Sequence, residues 1–172
     1  SKWVVKAQVH SGARGKAGGI KLCDTELEVA QAADKLLGRK LVTNQTGPSG
    51  KIINRVYIEE ATQIEKEIYL GLVFDRGSEC IMVVASTEGG MSVEEISQQK
   101  PESIIRSKIE VAVGMQEFQA REIAFNLGIK PELVSRMASV IVGCSQIFSK
   151  LDATMVEINL GSIPNPNVIS LA

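Results

Sequence analysis

The sequence predicts an α+β fold with antiparallel sheets, in which strands dominate the first half of the chain and helices the second. Short apolar runs separated by glycine- and proline-rich turns extend to about residue 85, as is typical of antiparallel strands. From residue 92 the apolar residues recur at three- and four-residue spacing, which indicates helices. An alternating pattern returns at 154–160, so the chain is predicted to come back to a strand there.

Composition and charge are ordinary for a globular protein. Of the 172 residues, 44% are hydrophobic and 23% are charged, and the formal net charge is -1. A general nucleic-acid surface would need a basic excess, which is missing. No apolar run approaches the roughly 20 residues that span a bilayer, and the N-terminus resembles neither a signal peptide nor a transit sequence. We therefore expect an intracellular protein that binds neither nucleic acid nor membranes.

The first elements are two strands and a helix. Strands are predicted at 4–9 and 20–23, on either side of a glycine-rich loop. Thr25 and Glu28 have capping-box spacing, which predicts the start of a helix. Gly38 is predicted to end that helix, because glycine readily adopts the left-handed conformation found just after helices.

Turns and strands continue to about residue 90. A short strand is predicted at 39–46, and the turn sequence GPSG at 47–50 precedes another strand at 52–60. The extended runs 67–74 and 80–85 are separated by DRGS, which predicts an antiparallel hairpin. The segment STEGG ends that hairpin.

Three helices are predicted in the second half. Ser92 and Glu95 form another capping-box pair, and the short helix that they begin is interrupted by Pro101. A second helix stops at Gly128, and a third begins at Pro131. Their apolar stripes consist of Ala120, Ile123, Ala124 and Leu127 in the second helix, and of Leu133, Met137, Val140, Ile141, Cys144, Ile147 and Phe148 in the third.

Both ends of the chain are interpreted as artificial boundaries. Residue 1 is a serine, and an apolar strand begins almost at once. Residues 168–172 stop inside what looks like another strand. We expect the chain to be a piece of a longer protein.

The loop HSGARGKAGG at 10–19 is a candidate phosphate-binding segment. It combines four glycines with Arg14 and Lys16 directly after an apolar strand. Glycines let backbone N–H groups approach a ligand, and arginine and lysine donate charge-assisted hydrogen bonds to phosphate. Neither the Walker A pattern nor G-x-G-x-x-G matches this loop. A flexible connection between two strands remains an alternative interpretation.

Charged side chains near strand ends are further candidates. Lys6 is out of phase with Trp3 and Val5 on the first strand, so it leaves the apolar face and can reach phosphate oxygens. Glu59 and Glu67 lie at the ends of neighbouring strands, where carboxylates suit ribose hydroxyls or amino groups. A solvent-exposed lysine and solvated strand ends are the alternatives.

Glu157 and Asn159 resemble half of a magnesium site, because they point to the same side of a strand and Mg²⁺ prefers oxygen ligands. A polar sheet face without metal is the alternative. His10 has no cysteine partner or hydroxyl nucleophile at a motif spacing, so it is interpreted as a structural loop residue. The three cysteines are far apart in apolar surroundings, which favours buried free thiols over disulfides or a metal site.

Four separated motifs together resemble the β subunits of succinate–CoA ligase and of the closely related malate–CoA ligase. They are WVVKAQVHSGARGKAGG, RVYIEEATQIEKEIYLG, ASTEGGM and MVEIN, and they follow the family's order and spacing along nearly the whole chain. The resemblance implies an ATP-grasp fold, in which two α+β lobes with antiparallel sheets hold ATP. It implies a partial ATP-grasp domain over 1–172, a lobe boundary near 46–62, and a C-terminal flavodoxin-like CoA-ligase domain that is absent.

The resemblance assigns the phosphate contacts to the first motif. Lys6 would contact the nucleotide phosphates. Ala13, Arg14 and Gly15 correspond to a mobile loop that covers the phosphates, with Ala13 in place of the glycine that many family members have. Some freedom of the loop would be lost at that position.

The remaining site residues implied by the resemblance lie further along the chain. Glu59 and Thr62 correspond to nucleotide contacts in the segment between the lobes, and Glu67 corresponds to a carboxylate that helps to hold the ribose or base. Asn159 matches an Mg²⁺ ligand, with Glu157 beside it. The implied cofactors are therefore ATP or GTP together with Mg²⁺.

Two departures from the family pattern are visible. Leu160 stands where the family has a proline, and the aspartate that supplies a further Mg²⁺ ligand is missing or replaced near the end of this chain. The family's N-terminal segment, which helps to form the adenine pocket, is also not included here.

In the family, ATP or GTP phosphorylates a histidine on the partner α subunit, and the acyl phosphate that follows is attacked by CoA. We expect this chain to position the nucleotide for the first step, with no catalytic residue of its own, in a bacterial cytoplasm or a mitochondrial matrix. The alternatives are a malate–CoA ligase β subunit and a non-catalytic nucleotide-binding or assembly fragment. Without its α partner the fragment is expected to be inactive.

Overall fold

The computed structural model describes residues 2–62, 64, 66–89, 93–162 and 169–171. The chain divides into two compact units, Ser1–Thr62 and Gln63–Ala172. The first unit contains β1 (Trp3–Ala7), β2 (Ile20–Cys23), α1 (Glu26–Leu36), β3 (Lys40–Leu41), β4 (Lys51–Ile52) and β5 (Val56–Glu60). The second contains β6 (Lys66–Asp75), β7 (Cys80–Ser86), α2 (Val93–Gln99), a 3₁₀ turn (Pro101–Ser103), β8 (Ile104–Ile109), α3 (Glu117–Asn126), α4 (Pro131–Lys150), β9 (Met155–Ser162) and β10 (Ile169–Leu171).

In the first unit, α1 packs on one face of an antiparallel sheet with the strand order β2-β1-β5. Val5 and Ala7 are completely buried on that face and form a core with Leu36 of α1 and with Ile53. Because side chains alternate along a strand, Lys6 lies on the opposite face, as the sequence predicted. The sheet therefore has a covered apolar face and a second face that carries Lys6.

Helix α1 begins and ends as its capping residues predict. The Thr25 side chain accepts a hydrogen bond from the backbone N–H of Glu28 at 3.2 Å, and the Glu28 carboxylate accepts one from the N–H of Asp24 at 2.7 Å. Gly38 follows the helix with a φ of 74°, a left-handed conformation that glycine adopts without strain. The helix is thus fixed at both ends by local chemistry.

The strand predicted at 52–60 is wrong as a single element, because residues 53–55 interrupt it. Ile53 is buried in the core against α1. Its N–H donates to the carbonyl of Arg39 at 2.8 Å, and its carbonyl accepts from the N–H of Gly38 at 2.9 Å. The bond to Arg39 continues the pairing of β4 with β3 by one residue, whereas β5 pairs with β1 in a different sheet, so β4 and β5 are separate. The first strand also ends two residues earlier than predicted, at Ala7.

The second unit contains a five-stranded antiparallel sheet with the order β10-β9-β6-β7-β8. The predicted hairpin is confirmed: β6 and β7 pair from Tyr69 with Ser86 to Asp75 with Cys80. In the turn, the Asp75 carboxylate accepts a hydrogen bond from the N–H of Gly77 at 3.1 Å. The pKa of Asp75 is lowered below its ordinary value, mainly by a hydrogen bond from the Ser78 side chain and next by the one from the Gly77 backbone.

Strand β8 was not predicted from the sequence. It pairs with β7 and lies at the edge of the sheet, where Arg106 and Lys108 point to the same face as the partly buried Met82 and Val84. Charged residues are common on edge strands because they discourage pairing with other chains. These two charges interrupt the apolar pattern and explain why the segment was not recognised as a strand.

Helices α3 and α4 cover the face of this sheet that carries Ile68, Leu70 and Leu72. The two predicted helices are confirmed, and α4 spans 20 residues from Pro131. Their predicted apolar stripes are buried apart from Val140, which is half-buried, and Ile147, which is 49% exposed. The core of the unit therefore lies between the helices and one face of the sheet.

Helix α2 occupies the position predicted for the short helix before Pro101. Its predicted cap at Ser92 lies outside the described residues, and the side chain of Glu95 lies outside them too. No helix in the described part of the chain has the length and apolar character to cross a membrane.

The predicted state of the cysteines is confirmed, since Cys23, Cys80 and Cys144 are all unpaired and buried. Burial raises the pKa of the Cys144 thiol above its ordinary value, so this group stays protonated at neutral pH. We expect the native protein to react with a thiol reagent such as DTNB far more slowly than free cysteine, and all three thiols to react in urea. A native thiol that reacts at the rate of free cysteine would contradict this burial.

Candidate functional site

The first group of candidate residues lies on the uncovered face of the sheet in the first unit. Lys6 Nζ lies 2.5 Å from Glu59 Oε1, on neighbouring strands β1 and β5. The side chains of Lys6 and Glu59 are 22% and 36% exposed, so both remain accessible to a ligand. The strand alternation therefore brings a cation and a carboxylate together beside the glycine loop.

The glycine loop forms one helical turn after β1. The N–H of Ala17 donates to the carbonyl of Ala13 at 3.2 Å, and the N–H of Gly19 donates to the carbonyl of Arg14 at 2.8 Å. Ala13, which the resemblance places where many family members have glycine, has a φ of 55°, a conformation that is uncommon for a residue with a side chain. The loop thus keeps a backbone shape that suits glycine even though alanine is present.

Three consecutive N–H groups at the start of this turn are available to a ligand. Among the described residues, no acceptor faces the N–H groups of Ala13, Arg14 and Gly15. Free N–H groups at the start of a helical turn favour anions, as they do at helix N-termini. The Arg14 guanidinium donates to the carbonyl of Ala7 at 2.8 Å, so it bridges the loop to the end of β1.

The second group of candidates lies in the second unit, on the sheet face away from α3 and α4. Glu67 and Tyr69 on β6 share this face with Glu157 and Asn159 on β9, and Tyr69 pairs directly with Asn159. Glu157 pairs with Gly71, which has no side chain. A side chain at Gly71 would start 2.7 Å from the Tyr69 hydroxyl oxygen, so the tyrosine ring lies across this glycine. Together these residues form a polar strip along two strands.

The donors of this strip fit an Mg²⁺ ion that is shared with phosphates. Glu157 and Asn159 are exposed and supply a carboxylate and an amide oxygen on the same face. Within the described ranges, no group of three or more His, Cys, Asp or Glu residues is arranged to hold a metal. Mg²⁺ in nucleotide enzymes commonly uses one or two carboxylates together with substrate phosphates and water. The donor set fits that mode of binding.

The segment after β7 packs directly on Glu67. A Cβ atom placed on Gly89 would meet the Glu67 backbone, 2.6 Å from its carbonyl carbon. The neighbouring Glu88 forms an ion pair with Lys100 at 2.9 Å, and its N–H donates to the Ser86 hydroxyl at 3.1 Å. Residues 86–89 therefore pack against the backbone that carries Glu67.

The predicted site residues fall into two groups. Lys6, 13–15, Glu59 and Thr62 belong to the first unit, where Thr62 is exposed at its end. Glu67 and the pair at 157 and 159 belong to the second. Leu160, the residue at the family's proline position, is 1% exposed and extends the pairing of β9 with β6 opposite Ile68. Since proline lacks the N–H for such pairing, the leucine lengthens the strand.

The structure adds residues that were not selected from the sequence. Thr43 and Gln45 contact the glycine loop through their side chains, and Tyr69 lies buried in the polar strip. The predicted strand at 39–46 is wrong beyond Leu41, because Thr43 begins a turn. Two threonines three residues apart are a signal for such a side-chain-stabilised turn, and this signal was available in the sequence.

Comparison with known proteins gives a consistent family. The family model described as ATP-grasp domain matches residues 1–161. The chain is 56% identical over 158 residues to the probable malate–CoA ligase subunit beta of Mesorhizobium japonicum, a match that covers 92% of this chain and 40% of that protein. It is 49% identical over 159 residues to the ADP-forming succinate–CoA ligase subunit beta of Bacillus velezensis, with 92% and 41% covered.

A solved structure has the same fold. ATP citrate lyase from Methanothrix soehngenii, solved with citrate and coenzyme A, aligns with a TM-score of 0.67 at 15% identity. The alignment covers 100% of this chain and 37% of that one. The chain spans about two fifths of the length of the curated relatives above.

Proposed function

The chain belongs to the ATP-grasp domain family, and from this membership we propose that it is the nucleotide-binding part of the β subunit of a succinate–CoA ligase-type enzyme. The observation that carries the proposal is the pairing of Lys6 and Glu59 beside a helical turn with three free N–H groups. Identities of 49% and 56% to β subunits of two CoA ligases support this enzyme class. The chain is proposed to bind a nucleoside triphosphate.

We propose that Lys6 and the turn 13–15 hold the phosphates. The lysine supplies a full positive charge, and the N–H groups at the start of the turn supply further donors. Such preorganised donors stabilise the charge that develops during phosphoryl transfer. The Arg14 guanidinium is directed to the Ala7 carbonyl, so its role is to hold the turn against β1.

Glu59, Thr62 and Glu67 are proposed to contact the ribose or base. Carboxylates accept hydrogen bonds from ribose hydroxyls and from exocyclic amino groups, and a threonine hydroxyl both donates and accepts them. Glu59 also fixes the position of the lysine ammonium through their 2.5 Å contact. This pair therefore links the phosphate contacts with those to the rest of the nucleotide.

Asn159 and Glu157 are proposed to hold Mg²⁺. Held there, the ion would neutralise part of the charge on the phosphates. Asn159 and Glu157 offer an amide oxygen and a carboxylate, both exposed on the sheet face opposite the helices. The ring of Tyr69 lies across Gly71, the residue that pairs with Glu157.

The acceptor of the phosphoryl group is proposed to be a histidine of the partner α subunit. The curated relatives are named as β subunits, which supports a complex of two kinds of subunit. The complete ligase would then form the acyl-CoA, while the present chain alone would bind nucleotide without turnover. A bacterial cytoplasm, or a mitochondrial matrix, is the proposed location.

Malate is a second candidate for the acid, supported by the 56% identity to a probable malate–CoA ligase subunit. A coupled assay of the complete complex, with ATP or GTP and with succinate or malate in turn, distinguishes the candidates. We expect CoA thioester formation with one of the two acids and a marked preference for one nucleotide. A complex that forms no thioester with either acid would contradict the proposed enzyme class.

Asn159→Ala is expected to slow labelling of the partner histidine by about tenfold in the complete complex and to raise the Mg²⁺ concentration that gives the half-maximal rate, because an oxygen ligand is lost. The measurement is transfer from γ-labelled ATP at a series of Mg²⁺ concentrations. Asn126→Ala, at the exposed end of α3, is the matched control. An unchanged Mg²⁺ dependence in Asn159→Ala would remove this residue from the metal site.

A further inference from the structure

The turn 43–46 in the first unit is held in shape by its own side chains. Thr43 Oγ1 accepts hydrogen bonds from the N–H groups of Gln45 and Thr46 at 3.2 and 3.3 Å. In return, the N–H of Thr43 donates to Thr46 Oγ1 at 2.9 Å. Thr43 is only 8% exposed, which is unusual for a polar residue in a loop. Hydrogen bonds within the turn therefore fix its conformation.

Two side chains of this turn reach the glycine loop. The Thr43 hydroxyl lies 2.5 Å from the Ser11 hydroxyl, and Gln45 Oε1 accepts the N–H of Gly12 at 2.6 Å. Both lone pairs of the Thr43 hydroxyl are used by N–H donors within the turn, so its proton is the one that is directed to Ser11. The Ser11 hydroxyl is then free to donate to the Gly12 carbonyl, which lies at 3.1 Å.

Packing joins the same two segments at the other end of the loop. A Cβ atom on Gly19 would lie 2.9 Å from the Leu41 side chain, and one on Gly12 would lie 3.1 Å from the Gln45 amide nitrogen. Both glycines are thus in close contact with the segment that begins at Leu41. The glycine loop is fixed near its start and at its end, and the turn with the free N–H groups lies between these points.

We propose that Thr43 and Gln45 are positioning residues that hold the glycine loop in the shape needed to bind phosphates. The inference rests on the proposed function and adds to it a second segment that does not itself touch the nucleotide. The bond from Gly12 to Gln45 lies directly before Ala13, so it sets the direction in which the chain enters the turn. Without either side chain, the N–H groups of residues 13–15 would still be present, but the loop would no longer be held in the shape that places them beside one another.

The test compares Gln45→Met and Thr43→Val with Thr43→Ser and Asn44→Ala. Gln45→Met and Thr43→Val remove the hydrogen bonds to the glycine loop while keeping a side chain of similar volume. Thr43→Ser keeps the hydroxyl, and Asn44→Ala, at the exposed neighbouring position, is the control. Three quantities are measured: the affinity for Mg-ATP, the affinity for adenosine, and the hydrogen-exchange rate of the Gly12 amide by NMR. Adenosine lacks phosphates, so its affinity reports general damage to the fold.

Gln45→Met and Thr43→Val are expected to weaken Mg-ATP binding by about three- to tenfold, the effect of one or two lost hydrogen bonds, and to leave adenosine binding unchanged. Gly12 exchange is expected to become faster in Gln45→Met, and Thr43→Ser and Asn44→Ala should match the wild type. Unchanged Mg-ATP affinity in both variants, with normal binding by the wild type, would overturn the inference. If the wild type binds no Mg-ATP, the proposed function itself fails. Unchanged Gly12 exchange in Gln45→Met would show that the hydrogen bond from Gly12 to Gln45 does not hold the loop, and would also overturn the inference.

Discussion

Lys6→Met is expected to weaken the binding of Mg-ATP by about 10- to 100-fold, which corresponds to the loss of a hydrogen bond to a charged group. The effect has two causes. The ammonium group that contacts phosphate is lost, and Glu59, 2.5 Å away in the native chain, is left without its cation and repels the phosphates. The measurement is competition with a fluorescent ATP analogue. Lys6→Met/Glu59→Gln should recover part of the loss, because it removes the uncompensated charge.

Lys2→Met provides the matched control for this prediction. Lys2 precedes the same strand and also pairs with a carboxylate, Asp24, at 3.3 Å, but both side chains of that pair are largely exposed. Exposed ion pairs of this kind contribute little to stability. We expect Mg-ATP affinity to be unchanged in Lys2→Met. Equal losses in the two variants would mean that general charge, not the position of Lys6, governs binding.

Gly89→Ala is expected to lower the free energy of unfolding by about 1–3 kcal/mol, the range for an overpacked site. The new methyl group would overlap the Glu67 backbone, which belongs to the long strand β6 and cannot move without disturbing its pairing. The same shift would displace the Glu67 carboxylate from its place in the polar strip. Urea denaturation measures the change in stability.

Gly143→Ala is the control for substitution of a glycine. Gly143 lies inside α4, and a Cβ atom there meets nothing within 4 Å. Alanine in a helix interior is more favourable than glycine by about 0.5–1 kcal/mol, so this variant should be slightly more stable than the wild type. If Gly89→Ala were as stable as Gly143→Ala, the close packing of Gly89 on Glu67 would be wrong.

The fold class was predictable because it rests on local signals. The resemblance to CoA ligase β subunits is confirmed by identities of 49% and 56% to two of them, and the ATP-grasp fold that it implies is confirmed by the family match over 1–161. Thr25 and Gly38 fixed the limits of α1, and the 20 residues from Pro131 form the helix that their spacing indicated. In these elements the local preference and the tertiary packing agree.

The errors occur where distant contacts override the local pattern. Ile53 leaves the strand pattern because it fills the core under α1, and a sequence window around 52–60 contains no sign of that partner. Strand β8 exists because β7 offers an unpaired edge, although Arg106 and Lys108 interrupt its apolar pattern. Ile147 fits the apolar stripe of α4 and is nevertheless half exposed.

The candidate site shows the same division. The placement of Lys6 on the uncovered face followed from alternation alone, as did the shared face of Glu157 and Asn159. The roles of Thr43 and Gln45 depend on contacts with residues more than 30 positions earlier in the chain. Those contacts become visible only when the turn and the glycine loop are seen side by side.

Calorimetric titration of this chain with Mg-ATP is the most direct test that it holds a nucleoside triphosphate. We predict a saturable heat with one site per chain, and a much weaker response to adenosine, because the phosphates make the contacts with Lys6 and the turn 13–15. The absence of heat at millimolar Mg-ATP, from protein shown to be folded by circular dichroism, would contradict this conclusion.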